Sequence, residues 1–327
     1  MLTDYRVIAQ LVAQLSGLIL MIGATGLAWQ MLRKWNPNAT TEAQLQLERR
    51  SFLVDILVRT VLFFQIASLI LFVGTANHYL PSLIEGAMCA TGTLALNEYG
   101  YTTLYLKIGG LFFYLIFLFI HQLDSREPNY PLTPFKYIFI FPSVLLIAID
   151  SVTMIRYFYQ IDPDVITTCC SVSILKSSGA AVDLLGSGKY LTHATIGFAN
   201  LFFVVLAMLG FGKKRRGLLF LLSVAYVGAA TYILKFYFVK YIYGLPSHNC
   251  LFDLFFAQYN FIGYVIFGSY FGLLATTLFS AVIRFCRPVL QQETARLEKY
   301  LKVLGIVFLF ISFLIPVLYK FFWEGTM

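Results

Sequence analysis

The chain has 327 residues, of which 59% are hydrophobic and only 12% are charged, with a formal net charge of +8. An average soluble domain carries about 25% charged residues, so this composition excludes an ordinary soluble domain. The alternation in segments of roughly 10 residues that marks a transmembrane β-barrel is absent. The sequence therefore predicts an all-α, polytopic membrane protein that forms a single integral membrane domain over residues 1–327.

Eight apolar segments are each long enough to cross a hydrocarbon core of roughly 30 Å. The predicted spans cover residues 8–32, 51–75, 103–121, 137–159, 190–212, 217–241, 255–283 and 302–322. Most of the 24 Lys and Arg residues fall in the short loops after the first, third, fifth and seventh spans. The positive-inside rule then places both termini on the outer, periplasmic side of a bacterial inner membrane. The excess positive charge follows from this topology and does not indicate nucleic-acid binding.

Four of the five cysteines are predicted on the outer side, in the two long loops at residues 76–102 and 160–189 and in a third loop just before the seventh span. They are Cys89, Cys169, Cys170 and Cys250. An even number of exported cysteines indicates structural disulfides. Adjacent cysteines rarely bond to each other, because the geometry is strained. Cys169 and Cys170 would therefore pair with Cys89 and Cys250, and the two bridges would tie the outer loops into one cap.

Two other interpretations of these cysteines stay open. In the first, the thiols exchange disulfides with a partner or a quinone, although no Cys-x-x-Cys motif is present. In the second, a thiol and imidazoles bind Cu(I) or Zn(II). The candidate ligands are His78, His193, His248 and Cys250. Haem and quinone are further candidates, and the sequence does not select one cofactor.

Charged residues inside predicted spans are costly and are treated as functional by default. Asp150 in the fourth span and Lys235 in the sixth lie at comparable depths, so we expect them to form an intramembrane pair. That pair could be a salt bridge, a proton or ion relay, or a polar wall of a quinone pocket. Asp55 and Arg59 stand four residues apart on the second span and are expected to form a structural pair.

No motif of a soluble catalytic site occurs, so a non-catalytic membrane subunit is favoured over an enzyme. The leading hypothesis is an integral membrane subunit or accessory protein. Its disulfide-stapled outer face would meet a membrane or periplasmic partner in redox, metal or cofactor handling. The first alternative is a membrane thiol–disulfide oxidoreductase, which would be linked to a quinone. The second is a component of a transporter that works with a cytosolic ATPase.

Overall fold

A computed structural model describes residues 4–34, 41–127, 130–162, 216–243, 250–287 and 294–323. These ranges are helical with connecting turns, and none of them contains a β-strand. Within these ranges, seven helices are long and apolar enough to cross a membrane. They correspond to seven of the eight predicted spans, so the prediction of an all-helical, multi-pass membrane protein is confirmed for them. The remaining predicted span, 190–212, lies outside the described residues.

The chain divides into two compact units. Unit 1 comprises Met1–Thr167 and Cys286–Glu293, and unit 2 comprises Thr168–Phe285 and Thr294–Met327. We describe each unit by itself, and the prediction of a single domain stays a prediction.

Unit 1 is built from four long helices joined by short ones. The long helices are α1 (Tyr5–Lys34), α2 (Glu42–Gly74), α4 (Glu98–Asp124) and α6 (Ile140–Tyr159), and the short ones are α3 (Ala90–Leu94) and α5 (Thr133–Ile138). Helix α2 continues without a break into a π-helical turn, Thr75–Tyr79, and then into a 3₁₀ turn, Leu80–Ser82.

The four long helices form an antiparallel bundle. Helix α1 packs against α2 and α6, and α4 packs against the same two helices, so α1 and α4 lie diagonally across the bundle. One end, which we call the amino end, contains the start of α1, the end of α2, the start of α4 and the end of α6. There the Tyr79 hydroxyl donates a hydrogen bond to the Asp4 carboxylate. This bond lowers the pKa of Asp4 from its ordinary value.

Apolar side chains fill the half of the bundle away from the amino end. Met21, Val58, Phe117 and Ile147 are fully or almost fully buried there and pack in one cluster. Large apolar side chains also cover the outside of the bundle, as they do on a surface that faces lipid. Examples are Ile19, Phe63, Phe64 and Leu145.

The described part of unit 2, from residue 216 onward, contains three long helices and a short helical connection. The long helices are α7 (Arg216–Ile233), α9 (Ile262–Cys286) and α10 (Ala295–Trp323). Helix α7 continues through a π-helical turn (Leu234–Phe238) into α8 (Val239–Tyr243), and two 3₁₀ turns (Phe252–Phe255 and Ala257–Tyr259) precede α9.

Polar interactions join α7 to α10 at two positions along these helices. Two guanidinium nitrogens of Arg216 lie 2.6 and 2.7 Å from the two carboxylate oxygens of Glu298. Farther along, the hydroxyls of Tyr226 and Ser312 are hydrogen-bonded at 2.9 Å. The contact at 2.7 Å is a charge-assisted hydrogen bond, which is stronger than a neutral one, so it helps to fix the register of these two helices.

Gly100 allows α3 to lie directly against the first turn of α4. A Cβ atom at residue 100 would stand 2.3 Å from the carbonyl oxygen of Leu94, the last residue of α3. Real Cβ atoms do not approach backbone oxygen so closely, so any larger residue would push α3 away. Gly109, on the same helix, has open space around it, since nothing lies within 4 Å of its virtual Cβ.

Gly100→Ala should therefore destabilise unit 1, whereas Gly109→Ala should not. We expect Gly100→Ala to lower the free energy of unfolding by about 1–3 kcal/mol through overpacking. Gly109→Ala should be neutral or stabilising by up to about 1 kcal/mol, because alanine favours the helix over glycine. Thermal unfolding of both variants in the same detergent measures the difference. Equal melting temperatures would contradict the close packing of α3.

Candidate functional site

A buried polar cluster lies inside unit 1, where all four long helices contribute a side chain. We call it the mid-bundle cluster, and its members are Gln14 on α1, Ser68 on α2, Lys107 on α4, and Asp150 and Ser151 on α6. The Lys107 Nζ lies 2.8 Å from Asp150 Oδ2, and the two side chains are only 2% and 3% exposed. Lys107 also donates to Ser68 Oγ at 2.9 Å. Gln14 Nε2 donates to the same carboxylate oxygen at 2.8 Å.

The helix ends show how deep this cluster lies. Gln14, Lys107 and Asp150 each stand nine residues from the end of their helix at the amino end of the bundle. At a rise of about 1.5 Å per residue, nine residues place the cluster about 14 Å below that end. A hydrocarbon core is roughly 30 Å thick. The depth of the ion pair below the amino end is therefore about half the thickness of a hydrocarbon core.

The Asp150 carboxylate is only partly satisfied. Its Oδ2 atom accepts hydrogen bonds from Lys107 and Gln14. Its Oδ1 atom is buried and has no hydrogen-bond partner among the residues that the structure describes. A purely structural ion pair needs its remaining lone pairs satisfied to offset the desolvation of the charges. The open oxygen is therefore an acceptor that is available for a proton or another donor.

The polar side of α1 continues from the cluster toward the amino end. Gln10 lies one turn before Gln14, and its Nε2 donates to Thr75 Oγ1 at 2.5 Å. Thr75 is the first residue of the π-helical turn that follows α2. Gln10 Oε1 is buried and makes no hydrogen bond within the described part of the chain. Polar atoms thus extend from the middle of the bundle toward its amino end.

A second feature is the loop at the amino end, which side-chain hydrogen bonds hold in place. Asn77 Oδ1 accepts from the backbone N–H of Ala90, the first residue of α3, at 3.0 Å. The Thr93 hydroxyl donates to the carbonyl of Ala76 at 2.7 Å, and the Tyr157 hydroxyl donates to the carbonyl of Thr93 at 3.1 Å. These bonds connect α3 to the π-helical turn on one side and to α6 on the other.

The anchored loop places Cys89 inside the protein. Cys89 is the residue that precedes α3, and its side chain is 0% exposed. In contrast, His78 is exposed in the same π-helical turn that buries Asn77. π-Helical turns widen a helix locally and are frequent at functional sites. Here the turn directs Asn77 into the protein, where it supports the helix that follows Cys89.

A third polar group lies at the end of the bundle opposite the amino end. We call it the opposite-end cluster, and it comprises Asp55 on α2, His121 and Asp124 on α4, and Lys136 on α5. Lys136 Nζ lies 2.7 Å from Asp55 Oδ2 and 3.1 Å from Asp124 Oδ2. The His121 Nδ1 atom lies 3.6 Å from Asp55 Oδ2 and makes no hydrogen bond to any described residue.

Asp124 has a structural role within this cluster. Its two carboxylate oxygens accept from the backbone N–H of Leu132 and the hydroxyl of Thr133, each at 2.8 Å. Both donors lie at the start of α5, so the carboxylate caps that helix. The capped helix in turn carries Lys136 to Asp55.

In the structure, Asp150 and Asp55 pair with residues other than those predicted. Asp150 is paired with Lys107, while Lys235 lies exposed in the π-helical turn of unit 2. Asp55 is bound to Lys136, because the short helix α5 places Lys136 at this end of the bundle. Arg59 is exposed on α2 and has no ion pair with Asp55 within 4 Å. Sequence reasoning missed Lys107, because the predicted third span begins only at residue 103, whereas helix α4 begins at Glu98 and so places Lys107 deeper in the bundle.

The predicted cysteine and histidine site is described only in part. Cys89 and Cys250 are both buried, in unit 1 and unit 2 respectively, and the Tyr243 hydroxyl donates to the carbonyl of Cys250 at 2.6 Å. The adjacent pair Cys169 and Cys170 lies outside the described residues, as do His193 and His248. The predicted disulfides and the predicted metal site therefore stay predictions.

No protein-family model, no curated protein and no solved structure matches this chain. Its function is therefore inferred from its own geometry.

Replacing only one partner of the buried ion pair should destabilise the protein strongly. Lys107→Met leaves the Asp150 carboxylate buried without its counter-charge, which is expected to lower the free energy of unfolding by about 3–5 kcal/mol. The double variant Lys107→Met/Asp150→Leu removes both charges, and we expect it to recover most of that loss. Thermal unfolding of the single and double variants in detergent measures the coupling. A single variant as stable as the original protein would show that the two charges do not depend on each other.

Removing the Asn77 side chain should release α3. Asn77→Ala leaves the Ala90 N–H unsatisfied, which is expected to cost about 1–3 kcal/mol locally. Amide hydrogen exchange over residues 89–95 should then accelerate by roughly 10-fold or more, since about 1.4 kcal/mol corresponds to a factor of 10. Ser82→Ala is the matched control, because the exposed Ser82 bonds only to the carbonyl of Tyr79. Unchanged exchange in Asn77→Ala would contradict the anchoring role of this side chain.

Proposed function

We propose that this chain is an integral membrane subunit that presents an ordered outer face to a partner protein. The observation that carries the proposal is the anchored loop at the amino end of unit 1. In an isolated helix bundle, a connection of this length would need few internal bonds. Here Asn77, Thr93 and Tyr157 hold it against two long helices. A fixed loop keeps a constant shape, which lowers the conformational entropy lost on binding.

In this proposal, the amino end is the outer end. The distribution of charge in the helices of unit 1 supports that orientation, because α1 carries Arg33 and Lys34 in its last turn, at the other end of the bundle. Basic residues next to a span favour the cytoplasmic side. Both termini and the cysteine-bearing loops would then face the periplasm of a bacterial inner membrane.

The outer face is proposed to be clamped by two disulfides. Cys169 and Cys170 would reach Cys89 and Cys250, which joins the loop after the fourth span to the other outer loops. Burial of Cys89 and Cys250 is in keeping with this role, because a structural cysteine needs no access to solvent. The face so formed would serve a partner that handles redox equivalents, a metal or a cofactor.

Thiol trapping tests the clamp. The purified protein is unfolded in an alkylating reagent without reductant, and the number of modified cysteines is read from the intact mass. We expect modification of one cysteine, Cys286, before reduction and of all five after strong reduction. If mild reductant opens the bridges in the folded protein, the membrane thiol oxidoreductase becomes the better account. If all five thiols react without reductant, the clamp does not exist.

Site-specific photo-crosslinking tests the partner. Met88 is 71% exposed and stands directly before Cys89, so a photoreactive residue at position 88 samples the proposed face. Tyr130 is also exposed, but lies at the opposite end of the bundle, and it provides the matched control. We expect one defined crosslinked product from position 88 in intact cells and none of the same mass from position 130. The absence of a product from position 88 would contradict the proposal.

A further inference from the structure

One buried face of α4 connects the mid-bundle cluster with the opposite-end cluster. Residues spaced three or four apart on a helix share a face. On α4 this face carries the buried residues Lys107, Gly110, Tyr114, Phe117 and Asp124 and the partly buried His121. Lys107 belongs to the first cluster, whereas His121 and Asp124 belong to the second. The same helix face therefore joins two groups of ionisable side chains across much of the bundle.

We propose that unit 1 transfers protons through the membrane along this face of α4, which we call the α4 path. The proposal is independent of the partner at the outer face. It depends on two sites that can hold an exchangeable proton and on a buried hydroxyl between them.

The first proton site is the Lys107–Asp150 pair. A proton that arrives from the amino end binds to the open Oδ1 atom of Asp150 and neutralises the carboxylate. Lys107 then passes one of its own protons onward and becomes a neutral amine. Transfer of the Asp150 proton to Lys107 restores the original ion pair. One proton enters and one leaves in each cycle, so charge and atoms balance.

Polar side chains connect this site to the amino end. Gln14 contacts Asp150 directly, and Gln10 bonds to Thr75 one turn higher. The buried Oε1 of Gln10 is a second acceptor with no partner among the described residues. These amides are suited to hold water molecules, which carry protons between acceptors that are too far apart for direct transfer. An apolar helix seam would offer no such positions.

The second proton site is the His121–Asp55 pair. Two carboxylates, Asp55 and Asp124, share the single ammonium group of Lys136. One further proton, held between His121 Nδ1 and Asp55, neutralises this buried set. Imidazole suits this role because it gains and loses a proton near neutral pH.

Other charged groups act on His121 as well. The described groups within electrostatic reach are Asp55 and Arg59 from α2, Asp124 from α4 and Lys136 from α5. The partial burial of His121 opposes its protonation most strongly, the two cations oppose it as well, and the two carboxylates favour it. Arg59 is exposed on the outside of α2. Its surroundings therefore screen its repulsion of a protonated His121 more than they screen the repulsion by the buried Lys136.

Tyr114 stands between the two sites. It lies seven residues, or about 10 Å, from both Lys107 and His121 along the helix. Its side chain points back toward the start of α4, and a Cβ atom at Gly110 would stand 2.9 Å from its hydroxyl oxygen. The absence of a side chain at residue 110 thus makes room for a hydroxyl on the Lys107 side, within electrostatic reach of Asp150.

Phe117 closes the remaining stretch between Tyr114 and His121. It is fully buried, and its ring lies parallel to the imidazole of His121, with 6.5 Å between the ring centroids. This apolar ring interrupts the polar path, so protons cross only when water enters beside it. The α4 path is therefore expected to conduct protons slowly, because each transfer needs water beside this ring.

Proton flux into proteoliposomes tests the proposal. The full chain is reconstituted with a pH-sensitive dye inside the vesicles, and a potassium diffusion potential set by valinomycin drives protons inward. We expect flux above that of protein-free vesicles.

Asp150→Asn and His121→Gln should each reduce the protein-dependent flux at least 10-fold. Tyr114→Phe, which keeps the ring and removes the hydroxyl, should reduce it as well. Glu298→Gln is the matched control, because it alters the partly buried ion pair of unit 2, and it should leave the flux unchanged.

Folding is separated from proton transfer by the double variant Lys107→Met/Asp150→Leu. This variant is expected to fold without either charge, and it should be as impermeable to protons as protein-free vesicles. If it conducts like the original chain, the ion pair is only structural and the proposal fails. The proposal fails equally if the original chain shows no flux, or if Asp150→Asn and His121→Gln leave the flux intact. None of these results bears on crosslinking at position 88, so the two proposals fail separately.

Discussion

The ion pair between Lys107 and Asp150 is the constraint around which unit 1 is organised. It lies near the middle of a helix bundle that crosses the membrane, where neither charge can reach water. Each charge must therefore find its partner from another helix, and Gln14 and Ser68 complete the set from the two remaining helices. Four helices that meet at one polar point have little freedom to slide or rotate. The apolar cluster lies on one side of this polar point and the anchored loop on the other, and both depend on the helix positions that it fixes.

The polar groups of unit 1 divide into those that are fully bonded and those that are not. Asp124 uses both carboxylate oxygens to cap α5 and to hold Lys136, which is the pattern of a structural residue. Asp150 and His121 each keep one buried atom without a hydrogen bond to the described residues. This difference separates the side chains that build the bundle from those that we propose to move protons. In unit 2, Arg216 and Glu298 form a partly buried ion pair that joins α7 to α10.

The amino end serves a different purpose in our proposals. There the hydrogen bonds that hold α3 join backbone groups to the side chains of Asn77, Thr93 and Tyr157, and none of these three bonds involves a charged group. Order at this end favours recognition by a partner, whereas open acceptors in the middle favour transfer of a proton. Both functions can reside in one bundle, because the loop bonds and the ion pair lie at different depths of the membrane.

Composition and hydropathy by themselves determined that this is an all-helical, multi-pass membrane protein, because a helix that spans lipid needs a long apolar segment wherever it packs. The same patterns located seven described spans to within several residues. Only the tertiary structure decided which charges meet. Lys107 pairs with Asp150, and Lys136 pairs with Asp55, because helix packing sets the distance between residues far apart in the chain. The expected pairs, Asp150 with Lys235 and Asp55 with Arg59, were chosen by depth or by spacing along one helix. Neither criterion takes into account how each helix is rotated about its own axis, although that rotation decides which side chains face each other.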